Sequence, residues 1–134
     1  MGVNMVTLEK TRTGYSAYLP DLPGCVTTGE SVGDIKNNIE EAVDFHLEGM
    51  KLEGRPVPKG FESGYSLGYK MDLPSLFEWF SGILTKSAVS RLTGMNPSLI
   101  SQYVNGMKRP GPKQTQKIEL ALHKLGKDLQ EIEL

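Results

Sequence analysis

The sequence predicts an α+β protein in two parts, a front half of order β-β-β-α-β over residues 1–72 and an all-α back half over residues 73–134. Three observations predict it. Polar and apolar residues alternate with a period of two in short runs before residue 30 and again at 65–71. A stretch beginning at Ser31 carries apolar residues at helical spacing, and beyond Asp72-Leu73-Pro74 every regular pattern is helical.

The elements follow in order. Val3 to Leu8 read as a first strand, and Thr11-Arg12-Thr13-Gly14 as a turn. Tyr15, Ala17 and Leu19 alternate with Ser16 and Tyr18 as a second strand, and Pro20-Asp21-Leu22-Pro23-Gly24 reverses the chain into a third strand from Cys25 to Gly29. Ser31 is an expected N-cap for a helix to about Leu52, with Val32, Ile35, Ile39, Ala42, Val43 and Met50 on its stripe and His46 in the middle of it. Gly54, Pro56, Pro58 and Gly60 make an irregular link. Tyr65, Leu67, Tyr69 and Met71 then form a fourth strand. Leu76, Phe77, Trp79 and Phe80 fit a short helix that opens the back half, although Trp79 could instead pack against the sheet and bind the two parts together.

Composition narrows the class. With 38% apolar and 23% charged residues and no apolar run of membrane-spanning length, a soluble cytoplasmic protein is expected, with no membrane partner and no signal peptide. The single cysteine, Cys25, rules out an internal disulfide, and the Cys/His spacing of zinc sites is absent, so neither a metal nor a cofactor is expected. Charge is divided unevenly. Up to Phe80 there are 7 Lys/Arg against 12 Asp/Glu, net −5, and from Ser81 onward 8 against 4, net +4. Only the back half is suited to a polyanion.

The back half carries the most informative run, Thr85-Lys86-Ser87-Ala88-Val89-Ser90-Arg91-Leu92-Thr93-Gly94-Met95-Asn96-Pro97-Ser98-Leu99-Ile100-Ser101-Gln102-Tyr103-Val104-Asn105-Gly106. Thr85 caps a helix that turns Val89 and Leu92 inward, and Gly94 supplies a left-handed residue at its end. Asn96 is placed as the cap of the next helix, with Pro97 at its first position. This run resembles the bihelical core of repressor-type helix-turn-helix proteins of the XRE/Cro type. Ile100, Tyr103 and Val104 face the domain, leaving Ser98, Ser101 and Gln102 outward, and a glutamine can hydrogen-bond adenine through two atoms. A solvated helix surface is the plainer reading of those three side chains. The following Asn105-Gly106-Met107-Lys108-Arg109-Pro110, with its two cations, favours DNA instead. The expected DNA-contacting residues are Lys86, Asn96, Ser98, Ser101, Gln102, Asn105, Lys108 and Arg109, the cations meeting phosphate. Ile118, Ala121, Leu122 and Leu125 form a closing helix, with Gly126 as its stop.

In the front half, Leu19-Pro20-Asp21-Leu22-Pro23-Gly24-Cys25, then Gly29-Glu30-Ser31, Asn38-Ile39-Glu40-Glu41-Ala42 and Leu47-Glu48 together resemble the signature of HicB-type antitoxins, over roughly residues 1–71. The resemblance implies a partial RNase H-like fold without catalysis that holds a small HicA-type toxin, an mRNA-cleaving ribonuclease. It also implies a DNA-binding half that represses the shared operon. The toxin contacts are not assigned; Asp21 in the turn and Phe45, an aromatic outside the helical stripe, are the candidates offered.

Glu40, Asp44 and Glu48 share a helix face, as Mg²⁺-binding carboxylates of a nuclease would. They lie opposite the apolar stripe and the strands bring almost no acids to meet them, so a solvated face is the expectation and the protein is read as no enzyme. His46 is read as a packed histidine, His123 as a surface one, and Cys25 as a packing residue. Because one recognition helix reads few base pairs, a homodimer or higher even oligomer is expected on double-stranded operator DNA. The alternatives are a stand-alone regulator whose front half senses a small ligand, and a metal-dependent nuclease.

Overall fold

The computed structural model describes residues 3–134, in two compact units, one up to Ser75 and one from Leu76 onward. The sequence pattern changes three residues earlier, after Asp72.

In the first unit β1 (Val3–Lys10), β2 (Tyr15–Tyr18) and β3 (Val26–Gly29) form an antiparallel meander. β4 (Ser66–Lys70) then adds parallel to β1 on its other side, with Val3 opposite Ser66 and Val6 opposite Tyr69. The sheet order is β3-β2-β1-β4. Period-two alternation divides the sheet as strand geometry requires. Asn4, Val6 and Leu8 of β1 and Tyr15 and Ala17 of β2 are buried on one face, while Val3, Met5 and Tyr18 are exposed on the other.

The turn between β2 and β3 is a staple. Leu22 N–H donates to the Leu19 carbonyl and Cys25 N–H to the Leu22 carbonyl, both at 3.1 Å, and all three side chains are buried. Gly24 has φ of 88°, and a Cβ there would stand 3.3 Å from His46 Cε1, so both backbone and space call for glycine. Burial pushes the Cys25 thiol above its ordinary value, as a packed sulfur should behave.

Ser31 caps α1 (Val32–Leu52), its hydroxyl accepting from Asp34 N–H at 3.1 Å. Val32, Ile35, Ile39, Val43 and Leu47 are buried beneath it, each contributing roughly 1.5–3 kcal/mol of apolar burial. Leu47 therefore belongs to the stripe, and His46 is half-buried on its flank and not at its centre; Ala42 and Met50 are also only half-buried. Asn38 Nδ2 donates to the Thr28 carbonyl at 2.9 Å, which ties α1 to the edge strand β3. The link to β4 contains a single 3-10 turn, Lys59–Phe61, that buries Phe61, and Asn4 Nδ2 holds the Gly60 carbonyl at 3.1 Å.

α2 (Leu73–Trp79) starts earlier than the apolar pattern suggests, because the Asp72 carboxylate accepts from Ser75 N–H at 2.9 Å and Pro74 sits in the first turn. The second unit then holds α3 (Lys86–Thr93), α4 (Pro97–Val104) and α5 (Pro112–Gln130), with α3 packed on both α4 and α5. Val89, Met95, Ile100, Tyr103 and Ile118 are its buried apolar side chains. Two expectations are corrected. Leu92 is 40% exposed and Thr93 is buried in its place. Gly126 does not end α5, which runs on to Gln130: an interior glycine costs a helix about 1 kcal/mol against alanine, too little to stop one of this length.

Candidate functional site

The junction between α3 and α4 is built from local chemistry. The Thr85 hydroxyl accepts from Ala88 N–H at 3.0 Å and starts α3. Thr93 tolerates burial because its hydroxyl donates to the Val89 carbonyl at 2.7 Å and accepts from Met95 N–H at 3.2 Å. Ser90 Oγ donates to the Met95 carbonyl at 2.6 Å, closing the turn from the other side. Gly94 takes φ of 72°, the left-handed cap that redirects the chain. Asn96 Oδ1 then accepts from Ser98 N–H at 2.8 Å and Pro97 occupies the first helical position, so α4 starts at a defined angle. Ile100 and Tyr103 bury the inner side of α4.

The residues expected to meet DNA are distributed as follows. Lys86, Asn96, Ser98, Asn105, Lys108 and Arg109 are exposed, and Ser101 and Gln102 are half-buried. Ser98, Ser101, Gln102 and Asn105 stand at i, i+3, i+4 and i+7, which places them on one side of α4 and its cap. Asn105 Nδ2 donates to Ser101 Oγ at 3.4 Å, so two of them are already joined. Asn96 Oδ1 is occupied as the helix cap, as its position before Pro97 predicts. Met107 N–H and Lys108 N–H both donate to the Gln102 carbonyl, at 2.9 and 3.2 Å, so the chain bearing Lys108 and Arg109 is anchored to the end of α4.

A second collection of groups lies in the first unit, between α1 and β4. Glu40, Asp44 and Glu48 are exposed, yet they flank the apolar stripe and do not stand opposite it. The Tyr65 hydroxyl donates to Asp44 Oδ1. Burial first, and then that hydrogen bond, push the Tyr65 phenol well above its ordinary range. The Tyr69 phenol is raised as well, by burial and then by the charge of Glu40. Glu40, Asp44, Tyr65 and Tyr69 border an open cleft of about 550 Å³ whose walls include Lys36, Ser66 and Leu67. A smaller hollow of about 250 Å³, bounded by Leu47, Glu48 and Phe61, adjoins it through Asp44 and Tyr65. Sequence reasoning missed this cleft, because it exists only once β4 is placed beside β1.

Of the two offered toxin contacts, Asp21 is exposed on the β2–β3 turn and Phe45 is 80% exposed on the solvent side of α1; neither borders the cleft. His123 lies on exposed α5, with Nε2 4.0 Å from Glu119 Oε1. Among the described residues no three His, Cys, Asp or Glu side chains are gathered closely enough to hold a metal ion, and no helix is long and apolar enough to cross a membrane.

Comparison with known proteins bears on the first unit. Residues 4–80, more than half of the chain, match the model of the HicB-like antitoxin of bacterial toxin-antitoxin systems. A UPF0150 protein of Synechocystis is 40% identical over 55 residues, covering 40% of this chain and 70% of that protein. An uncharacterised 14.9 kDa protein in the rep-hol intergenic region of Haemophilus phage HP1 is 37% identical over 54 residues, 40% of this chain. There the match spans about two fifths of the relative's length, 41%. Among solved structures, a chain of a HicA3 and HicB3 toxin-antitoxin complex is 40% identical, with a TM-score of 0.37, over 39% of this chain and 60% of that one. By the match over residues 4–80 the chain belongs to the family of HicB-like antitoxins of bacterial toxin-antitoxin systems.

Proposed function

We propose that this chain neutralises a small HicA-type, mRNA-cleaving toxin through its first unit and represses its own operon through the second, without catalysing a reaction itself. In this reading the first unit is a partial RNase H-like fold used for binding. The second is a helix-turn-helix of the XRE/Cro type, with α4 as the recognition helix. The observation that carries the DNA-binding half is the alignment of Ser98, Ser101, Gln102 and Asn105 on one side of α4, with exposed Lys108 and Arg109 anchored to its end. Short polar and amide side chains suit base edges in the major groove, and flanking cations suit phosphate. The net +4 from Ser81 onward is consistent with that polyanion partner.

One such helix reads three or four base pairs, so operator recognition calls for a homodimer or higher even oligomer on a two-fold site. Leu129, 58% exposed at the end of α5, and exposed Ile132 beyond it are surface that a second copy would cover. The test is footprinting of the full chain on the DNA upstream of its gene, together with a promoter reporter. The reading expects a protected site with two related half-sites and lower reporter output when the protein is present. Uniform protection at all sequences, or none, would remove the repressor half. A stand-alone ligand-sensing regulator would protect the same DNA yet capture no toxin.

A further inference from the structure

Four strands spaced 4.7–4.9 Å apart make a sheet roughly 15–20 Å across, and one α-helix with its side chains is roughly 10 Å wide, so a single helix covers about half of it. α1 runs closest to β3 and then β2. The consequence is visible in burial: the inward side chains of β1 and β2 are buried, whereas Leu67 and Tyr69, which share that face on β4, are only half-buried. One strip of the sheet is therefore left only partly covered. α1 borders the strip with Glu40 and Asp44, one helical turn apart, Glu48 follows one turn further at the adjoining hollow, and Asp44 is fixed to this side by the Tyr65 hydroxyl.

We propose that this strip, between α1 and β4, is the seat of the toxin. The occupant is a segment of a basic protein that lays apolar side chains on Leu67 and Tyr69 and directs lysine or arginine at Glu40, Asp44 and Glu48. This assignment rests on the toxin-binding reading above and adds the surface to it. Charge complementarity selects the occupant. A protein that grips mRNA must present cations to phosphate, and the half of the chain up to Phe80 carries net −5; along the strip and its adjoining hollow Glu40, Asp44, Glu48 and Glu62 outnumber Lys36 and Lys51. Cations held by these carboxylates are withdrawn from RNA, so occupation of the strip is itself the means of neutralisation. The outer face of the sheet, with Val3, Met5, Tyr18 and Val26 exposed, carries no comparable row of acids.

The experiment is titration calorimetry of the full chain against the product of the reading frame beside its gene, purified as an inactive variant. Wild type is compared with the double variant Glu40→Lys/Asp44→Lys, with Leu67→Glu and with the outer-face variant Val26→Glu. Circular dichroism and operator binding serve as controls for folding. The expected result is a Kd raised at least about 100-fold by the double variant and by Leu67→Glu, with operator binding retained and Val26→Glu within about threefold of wild type. Equal affinity in all four proteins would overturn the strip while leaving the toxin reading intact. Loss confined to Val26→Glu would move the site to the outer face. A wild-type chain whose own oligomer dissociates on Leu67→Glu would show the strip to be a contact between copies. Absence of any binding by wild type would overturn the toxin reading and the strip together.

Discussion

Replacing Lys108 and Arg109 with alanine removes two exposed cations from a segment whose backbone stays pinned, because Met107 N–H and Lys108 N–H donate to the Gln102 carbonyl without help from either side chain. The fold should be unaffected and only the electrostatics of DNA binding should change. Each phosphate neutralised by a cation contributes about −0.9 to the slope of log K against log salt, so two contacts per protomer and four per dimer amount to a slope change of about 3.6. Between 50 and 200 mM salt that change alone corresponds to roughly a hundredfold in affinity. Wild type should therefore weaken about a hundredfold more than the double variant over this range. The assay is fluorescence anisotropy with a labelled duplex from upstream of the gene, read at four or five salt concentrations. A slope shared by the two proteins would refute the phosphate-contact reasoning, even if the variant bound more weakly at every salt.

Gln102→Ala should act in the opposite manner: discrimination between the operator and base-substituted duplexes falls by about 1–3 kcal/mol at the contacted position, with the salt slope unchanged. Ile100→Ala opens a cavity beneath α4 at a fully buried side chain, and the cost of about 2–5 kcal/mol should appear as a lowered thermal midpoint of the second unit by calorimetry. Asn96→Ala removes the acceptor for Ser98 N–H and should cost about 1 kcal/mol in denaturant unfolding, with weaker operator binding as α4 frays. The Tyr65 and Tyr69 phenols are raised in the folded chain above their ordinary value of 10.0, so their contribution is complete below pH 10 and is lost as pH climbs through that value toward the folded one. Unfolding free energy should fall above pH 10, and Tyr65→Phe should flatten the fall; a steeper decline in the variant would contradict the assignment.

What the sequence made legible was local. Ser31, Thr85, Asn96 and Pro97 announce helix starts because capping is satisfied within three or four residues, and each starts a helix as expected. The alternation of Tyr15, Ala17 and Leu19 announces a half-buried strand for the same reason. Legibility ends where distant segments meet. Nothing near Ser66–Lys70 says that it lies parallel to β1, so the acids of α1 read as a solvated face when they border a half-covered strip. Leu92 and Thr93 are neighbours in helical phase, and apolarity alone favours Leu92; the partners that let the Thr93 hydroxyl be buried, the Val89 carbonyl and Met95 N–H, become visible only once the turn is folded. Phe61 entered the core from a link that looked irregular, through a 3-10 turn too short to show a period.

The role proposed for the first unit is capture of a toxin, and a growth assay addresses that directly. The neighbouring reading frame is induced in cells with and without the full chain, and the tagged chain is purified from the same cultures. The account predicts that induction alone arrests growth, that co-expression restores it, and that the neighbour's product is recovered bound to the tagged chain. Arrest that persists at full co-expression, with the chain recovered free of that product, would contradict it.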